Sequence, residues 1–151
     1  MTTYLLAWNA ERWPWTDLAE MAAAVRAGET VVTRWGCGNS KRIQVGDRAF
    51  LIRLGKRPKG IVASGVIVKG SFAALHWDEA YAAVGRTMRY VEIQLDRLLE
   101  PGIDAILPRD LLKAPPLGEM HWDTQMSGIR IPDHVASVLE EIWKDFTPVR
   151  A

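Results

Sequence analysis

Apolar and polar positions alternate in short runs along this chain, broken by glycine and proline, and only three stretches carry helical spacing. Thr3–Trp8 is β-branched and aromatic, which predicts an opening strand, and Asn9–Pro14 is a polar loop. Leu18, Met21, Ala22 and Val25 recur at helical spacing, with Thr16 as the expected N-cap and Gly28 closing the helix. Val31–Trp35 reads as a short strand, Gly36–Ser40 as a glycine-punctuated loop, and Gly46-Asp47 as a turn into a strand over Arg48–Leu54. The basic turn Lys56–Gly60 leads to a strand over Ile61–Lys69 with a bulge expected at Gly65. Tyr90–Leu95 alternates strictly, as a half-buried strand does. Pro108–Lys113 predicts a short helix stopped by Pro115-Pro116. Ile131-Pro132 opens a final helix whose apolar stripe is Val135, Val138, Leu139, Ile142, Trp143 and Phe146.

The order strand, helix, several strands, short helix, final helix is not a βαβ alternation. It predicts an α+β fold, a compact mixed barrel with helices against its ends. The 151 residues suit one domain spanning 1–151, and no repeat or long linker interrupts them. No apolar run approaches the roughly 20 residues that cross a bilayer, and the N-terminus lacks a secretory n-region. The one cysteine, Cys37, excludes an internal disulfide framework. A cytoplasmic protein without membrane partners is therefore expected.

Charge changes the picture. From Arg34 to Lys59 eight lysines and arginines face a single acid, Asp47, in a chain with 19 basic and 18 acidic residues overall. This segment is a candidate anion-facing surface, and the remainder of the chain is acidic. Catalytic patterns are missing by contrast. His76, His121 and His134 have no metal-ligand spacing, and no phosphate loop, dinucleotide fingerprint or nucleophile elbow occurs. Cys37 reads as a small packed residue. No metal, cofactor or enzymatic activity is expected.

Seven tryptophans point elsewhere. Trp143, on the final helix's stripe, belongs to the core, but three others stand beside amide-bearing or small residues. Trp8-Asn9 sets an aromatic next to an amide that suits a base edge. Trp35-Gly36 begins a small-residue loop leading to Ser40, Lys41 and Arg42, giving a π-face, close backbone approach and charge for phosphate. Trp122–Gly128 again places an indole near Gln125 and Ser127. Arg57 and Lys59 extend the phosphate-facing set. Together these predict a pocket for a flipped-out base. The blander reading has every tryptophan in the core.

The segments Tyr4–Asn9, Gly46–Arg53, Gly60–Gly65, His76-Trp77-Asp78, Tyr90–Ile93 and Trp122–Pro132 fall in the order and spacing of the EVE domain. The chain resembles that family over Tyr4 to about Trp143, with Ala10 where many relatives have proline. The resemblance implies a PUA-like β-barrel related to ASCH and YTH modules, and a reader of DNA carrying methylated or hydroxymethylated cytosine. It also implies a role in modification-dependent restriction, with an HNH-type nuclease as possible partner. It places the base pocket near Trp8, Asn9, Trp35, Gly36, Ser64, Trp77, Trp122, Gln125 and Ser127. Trp35 and Trp77 are then the expected stacking partners, and Asn9, Ser64, Gln125 and Ser127 the expected edge readers. Two alternatives stay open: an RNA-binding PUA-like module, and an ASCH-like hydrolase of a modified nucleoside, which needs a lysine or acid at the pocket floor.

Overall fold

The computed structural model describes residues 1–146, so the last five residues of the expected domain lie outside the described ones. In chain order the elements are β1 (Thr3–Asn9), α1 (Leu18–Arg26), β2 (Val32–Gly36), β3 (Arg48–Leu54), β4 (Gly60–Leu75), α2 (Glu79–Ala83) and β5 (Thr87–Leu98). There follow β6 (Leu107–Pro108), α3 (Arg109–Lys113), a 3-10 turn at Leu117–Glu119, β7 (Ile129–Ile131) and α4 (Asp133–Asp145). The strands form one sheet in the order β2-β5-β4-β3-β1-β7, with β6 paired to β4. Among the described strands only the β1–β3 pair is parallel.

This sheet curls until distant strands meet. The indole Nε1 of Trp35, on the terminal strand β2, donates to the carbonyl of Ala7 on β1 at 3.0 Å. Ser127 completes the seam: its Oγ accepts from the Ala7 N–H (3.0 Å) and donates to the Gly36 carbonyl (2.6 Å). Side chains thus do between β2 and β1 what a ladder does elsewhere. Leu5, Leu6, Phe50, Leu51, Ile52, Ile61, Ile67 and Ile93 are fully buried, and because successive strand residues point to opposite faces, the core lies on both sides of the sheet.

The three predicted helices lie where the periodicity puts them, with one correction, and the short α2 is an addition that it does not predict. Asp17, not Thr16, holds the N-cap of α1, and no side chain caps it. Leu18 and Ala22 are its buried positions. At its other end Gly28 N–H bonds to Val25 O and Glu29 N–H to Ala24 O, both at 3.0 Å, which is the Schellman closure. Helix α4 starts after Pro132 and buries Val135, Ala136, Leu139 and Trp143, with Trp143 edge-on to Phe50.

β4 and β5 are longer than their alternation predicts. Their outer halves, Gly70–Leu75 and Thr87–Arg89, form an arm joined by α2, which Asp78 caps by accepting the Ala80 N–H at 2.9 Å. Ala73, Leu75 and Thr87 on this arm are exposed, so no burial pattern marks it in the sequence. The Gly65 bulge is present as a register shift between Ser64 and Gly65; a Cβ there would stand 2.5 Å from the Gln94 carbonyl.

Arg48 departs from the anion-facing surface expected of its segment. Its guanidinium pairs with Asp96 and with Glu140 (2.9 Å), leaving its side chain 13% exposed. Replacing it with alanine removes both ion pairs and leaves Asp96 and Glu140, which are partly exposed, without their shared cation. Arg48→Ala is expected to lower unfolding free energy by about 1–3 kcal/mol in a denaturant titration.

Candidate nucleic-acid interface

At the seam between β2 and β1 a cavity of about 610 Å³ opens to solvent. It lies within the usual range for ligand sites, roughly 300–1,000 Å³. Of the expected pocket residues, Trp8, Asn9, Trp35, Gly36, Trp77, Gln125 and Ser127 line it. Four segments bring them together: the end of β1, the end of β2, the turn between β4 and α2 that carries Trp77, and the loop before β7. Two glycines allow that approach. Gly38 (φ +61°) lies against Ser127, where a Cβ would be 2.6 Å from its carbonyl, and Gly128 (φ +84°) lies against the Cys37 carbonyl.

Ser64 and Trp122 do not line the cavity. Ser64 is fully buried, donating to Asp96 and accepting from the Trp143 indole at 2.8 Å. Strand alternation turns it towards α4, away from the cavity. Trp122 is 1% exposed, and its Nε1 donates to the Leu117 carbonyl at 2.9 Å. Its ring is core; only the loop that follows it reaches the cavity. Asp123 fixes the start of that loop through Lys113 (2.6 Å) and Arg109 (3.3 Å), which hold its carboxyl below the usual carboxylate range, the Lys113 contact most strongly.

The tryptophans differ in what they can offer a ligand. Trp8, Trp15 and Trp35 are buried and pack with half-buried Trp13. Centroids of Trp13–Trp35, Trp15–Trp35 and Trp8–Trp15 lie 5.0, 4.9 and 5.3 Å apart. The Arg53 guanidinium stacks 5.0 Å from the Trp8 ring while donating to the Lys56 and Pro58 carbonyls. Trp35, expected to stack on a base, is 6% exposed and packed against two other indoles, which makes it part of the cavity wall. Trp77 is 44% exposed at the mouth, supported on one side by His76 at 5.5 Å.

Polar groups on the wall are also sorted by their bonds. Asn9 Oδ1 accepts the Glu11 N–H at 3.1 Å, so its Nδ2 donors remain the end available to a ligand. The Ser127 hydroxyl is engaged in the seam and is a clasp more than an edge reader. Gln125 is exposed at the lip.

Sequence reading did not place Arg12, Trp13, Arg34, Met88 and Tyr90 in this site, yet all line it. Three tryptophans between positions 8 and 15 were the available signal for Trp13. Arg34 lies 5.0 Å from the Phe72 ring and 5.3 Å from that of Tyr90, contacts across strands far apart in sequence. Among the lining residues there are two arginines and no carboxylate or lysine. Outside the mouth, Lys41 and Arg42 are exposed just beyond Gly38. Lys56, Arg57 and Lys59 lie in the turn beside Asn9, whose side chain packs against Gly55. Ser40, next to Lys41 in the chain, is half-buried, its carbonyl accepting from Ser71 at 2.6 Å. Cys37 is fully buried and burial pushes its thiol pKa up, the opposite of an activated nucleophile. Among the described residues no group of His, Cys, Asp and Glu could hold a metal, and no helix is long and apolar enough to cross a membrane.

A curled, mixed sheet of this topology with flanking helices is a PUA-like α+β fold. The chain superposes on a protein from Pseudomonas syringae with a TM-score of 0.66 at 16% identity, covering 93% of this chain and 98% of that one. Human THYN1, solved in complex with DNA containing 5-methylcytosine, matches with a TM-score of 0.64 at 14% identity over 97% of this chain and all of its own. A hypothetical protein from Leishmania major gives 0.62 at 12%, covering 96% of each chain. No family model and no curated protein matches this sequence.

Proposed function

We propose that this chain is an EVE-type reader of modified bases, taking a flipped-out 5-methylcytosine of DNA into the cavity at the β1–β2 seam. One observation carries the reading: an open cavity walled by indoles, lined by two arginines and free of carboxylates. An anionic ligand with an aromatic ring fits such a wall. The DNA complex of human THYN1, which shares the fold, supports the same ligand class here. Trp77 offers the free ring face for the base. Asn9 Nδ2 suits the acceptors on cytosine's pairing edge, and Gln125 can supply both donor and acceptor. Arg12, Arg34, Lys41, Arg42 and the Lys56–Lys59 turn attract the flanking phosphates. The lysine or acid expected of a nucleoside hydrolase is not among the residues that line the cavity, which favours the binding reading. In a restriction setting, cleavage would fall to a nuclease such as an HNH-type partner.

The test is a titration of duplexes differing only at one cytosine. Burying one methyl is expected to favour the 5-methylcytosine duplex by about tenfold at physiological salt. Equal affinity for modified and unmodified DNA, in duplexes and in single strands alike, overturns the proposal. Lys41→Ala is expected to weaken both duplexes alike and to reduce the slope of log K against log salt by about 0.9, the signature of one lost phosphate contact. Filter binding at three salt concentrations measures it.

A further inference from the structure

Three large apolar side chains are left exposed at the mouth of the cavity: Leu75 (58%), Trp77 (44%) and Met126 (53%). Trp77 has a stacking role in the reading above. The Leu75 carbonyl is tied to the Tyr90 hydroxyl at 2.8 Å on the arm. Met126 stands on the other wall, and its backbone is held unusually firmly for a loop. The Thr124 hydroxyl accepts the Met126 N–H (3.0 Å) and donates to the Met126 carbonyl (2.8 Å). The next two residues are anchored as well, Ser127 in the seam and Gly128 by its N–H to Leu5 O at 2.9 Å. A flexible, apolar side chain thus projects from an anchored backbone. Ser127 is pressed against Gly38, so the cations Lys41 and Arg42 follow from the loop beside it.

A base leaving a duplex opens a gap between its neighbours, and proteins fill such gaps with unbranched or bulky apolar side chains. We infer that Met126 is the wedge that enters the stack as the modified base enters the cavity, and hence that the chain's substrate is double-stranded DNA. This rests on the reading of the cavity as a base pocket. Lys41 and Arg42 then lie where the duplex backbone passes the wedge. In a single strand no gap forms, because no partner strand holds the neighbouring bases in register.

The experiment compares wild type, Met126→Ala and Met126→Leu on one sequence bearing a single 5-methylcytosine, as duplex and as single strand, with unmodified controls. Met126→Ala is expected to weaken the methylated duplex about tenfold while changing the methylated single strand less than twofold, and Met126→Leu to restore most of the duplex affinity. Equal losses on both substrates, no loss on the duplex, or methyl-selective binding of single strands alone overturns the wedge and leaves the base pocket standing. If wild type ignores the methyl group in both forms, the pocket reading fails, and the wedge with it. Circular dichroism of the three proteins confirms that an exposed substitution has not altered the fold.

Discussion

Trp77→Ala is expected to weaken binding of a 5-methylcytosine duplex by about 5- to 150-fold, the equivalent of one base–aromatic stack. The indole stands 44% exposed at the cavity mouth, so its removal leaves no large hole in the core. Its thermal midpoint should therefore stay close to that of wild type. Trp77→Phe keeps a smaller ring and is expected to recover part of the affinity. Isothermal titration and a thermal melt on the same samples decide the matter. An unchanged affinity would mean that the base does not lie against Trp77. A collapsed midpoint would mean that the ring supports the arm instead of a ligand.

Trp122→Ala should behave in the opposite way. Its ring is fully enclosed and its N–H is bonded to Leu117, so truncation leaves both a cavity and an unpaired carbonyl. A loss of about 3–5 kcal/mol is expected. For a chain of this length that lowers the melting midpoint by roughly 6–20 °C. Below the midpoint the discrimination between methylated and unmethylated duplexes should persist. Trp122→Phe, with a smaller hole, provides the same comparison if the alanine variant does not fold. A stable variant with lost discrimination would return Trp122 to the pocket, where its loop neighbours Gln125 and Ser127 suggest it.

The contrast between these tryptophans explains why the site was only partly legible. Each stands next to polar or small residues in the chain: Trp77 before Asp78, Trp122 before Asp123, Trp35 before Gly36. Neighbouring residue types report what a loop can do, but not which face of a ring is already covered. Trp35 is covered by Trp13 and Trp15, which come from a loop 20 or more residues earlier. Ser64 failed for a similar reason. Its motif position was visible, yet its partners Asp96 and Trp143 lie 32 and 79 residues away. The basic segment likewise divides on folding: Arg48 goes to an ion-pair cluster with Asp96 and Glu140, Arg53 beneath Trp8, and Arg34 to the cavity.

By itself the sequence determined the main strands around the core, the two long helices to within a residue at their ends, and the α+β class. Those follow from side-chain period, glycine and proline, which act within a few residues. It also marked the segments that converge on the cavity: Trp8-Asn9, Trp35-Gly36, Trp77 and the Gln125–Ser127 loop. Only the tertiary structure decided that β2 closes onto β1 through Trp35 and Ser127, which rings become wall and which remains open, and where each cation points. Those outcomes depend on contacts between residues tens of positions apart, whose geometry no local pattern encodes. The arm of β4 and β5 belongs with them, since exposed strands leave no alternation to read.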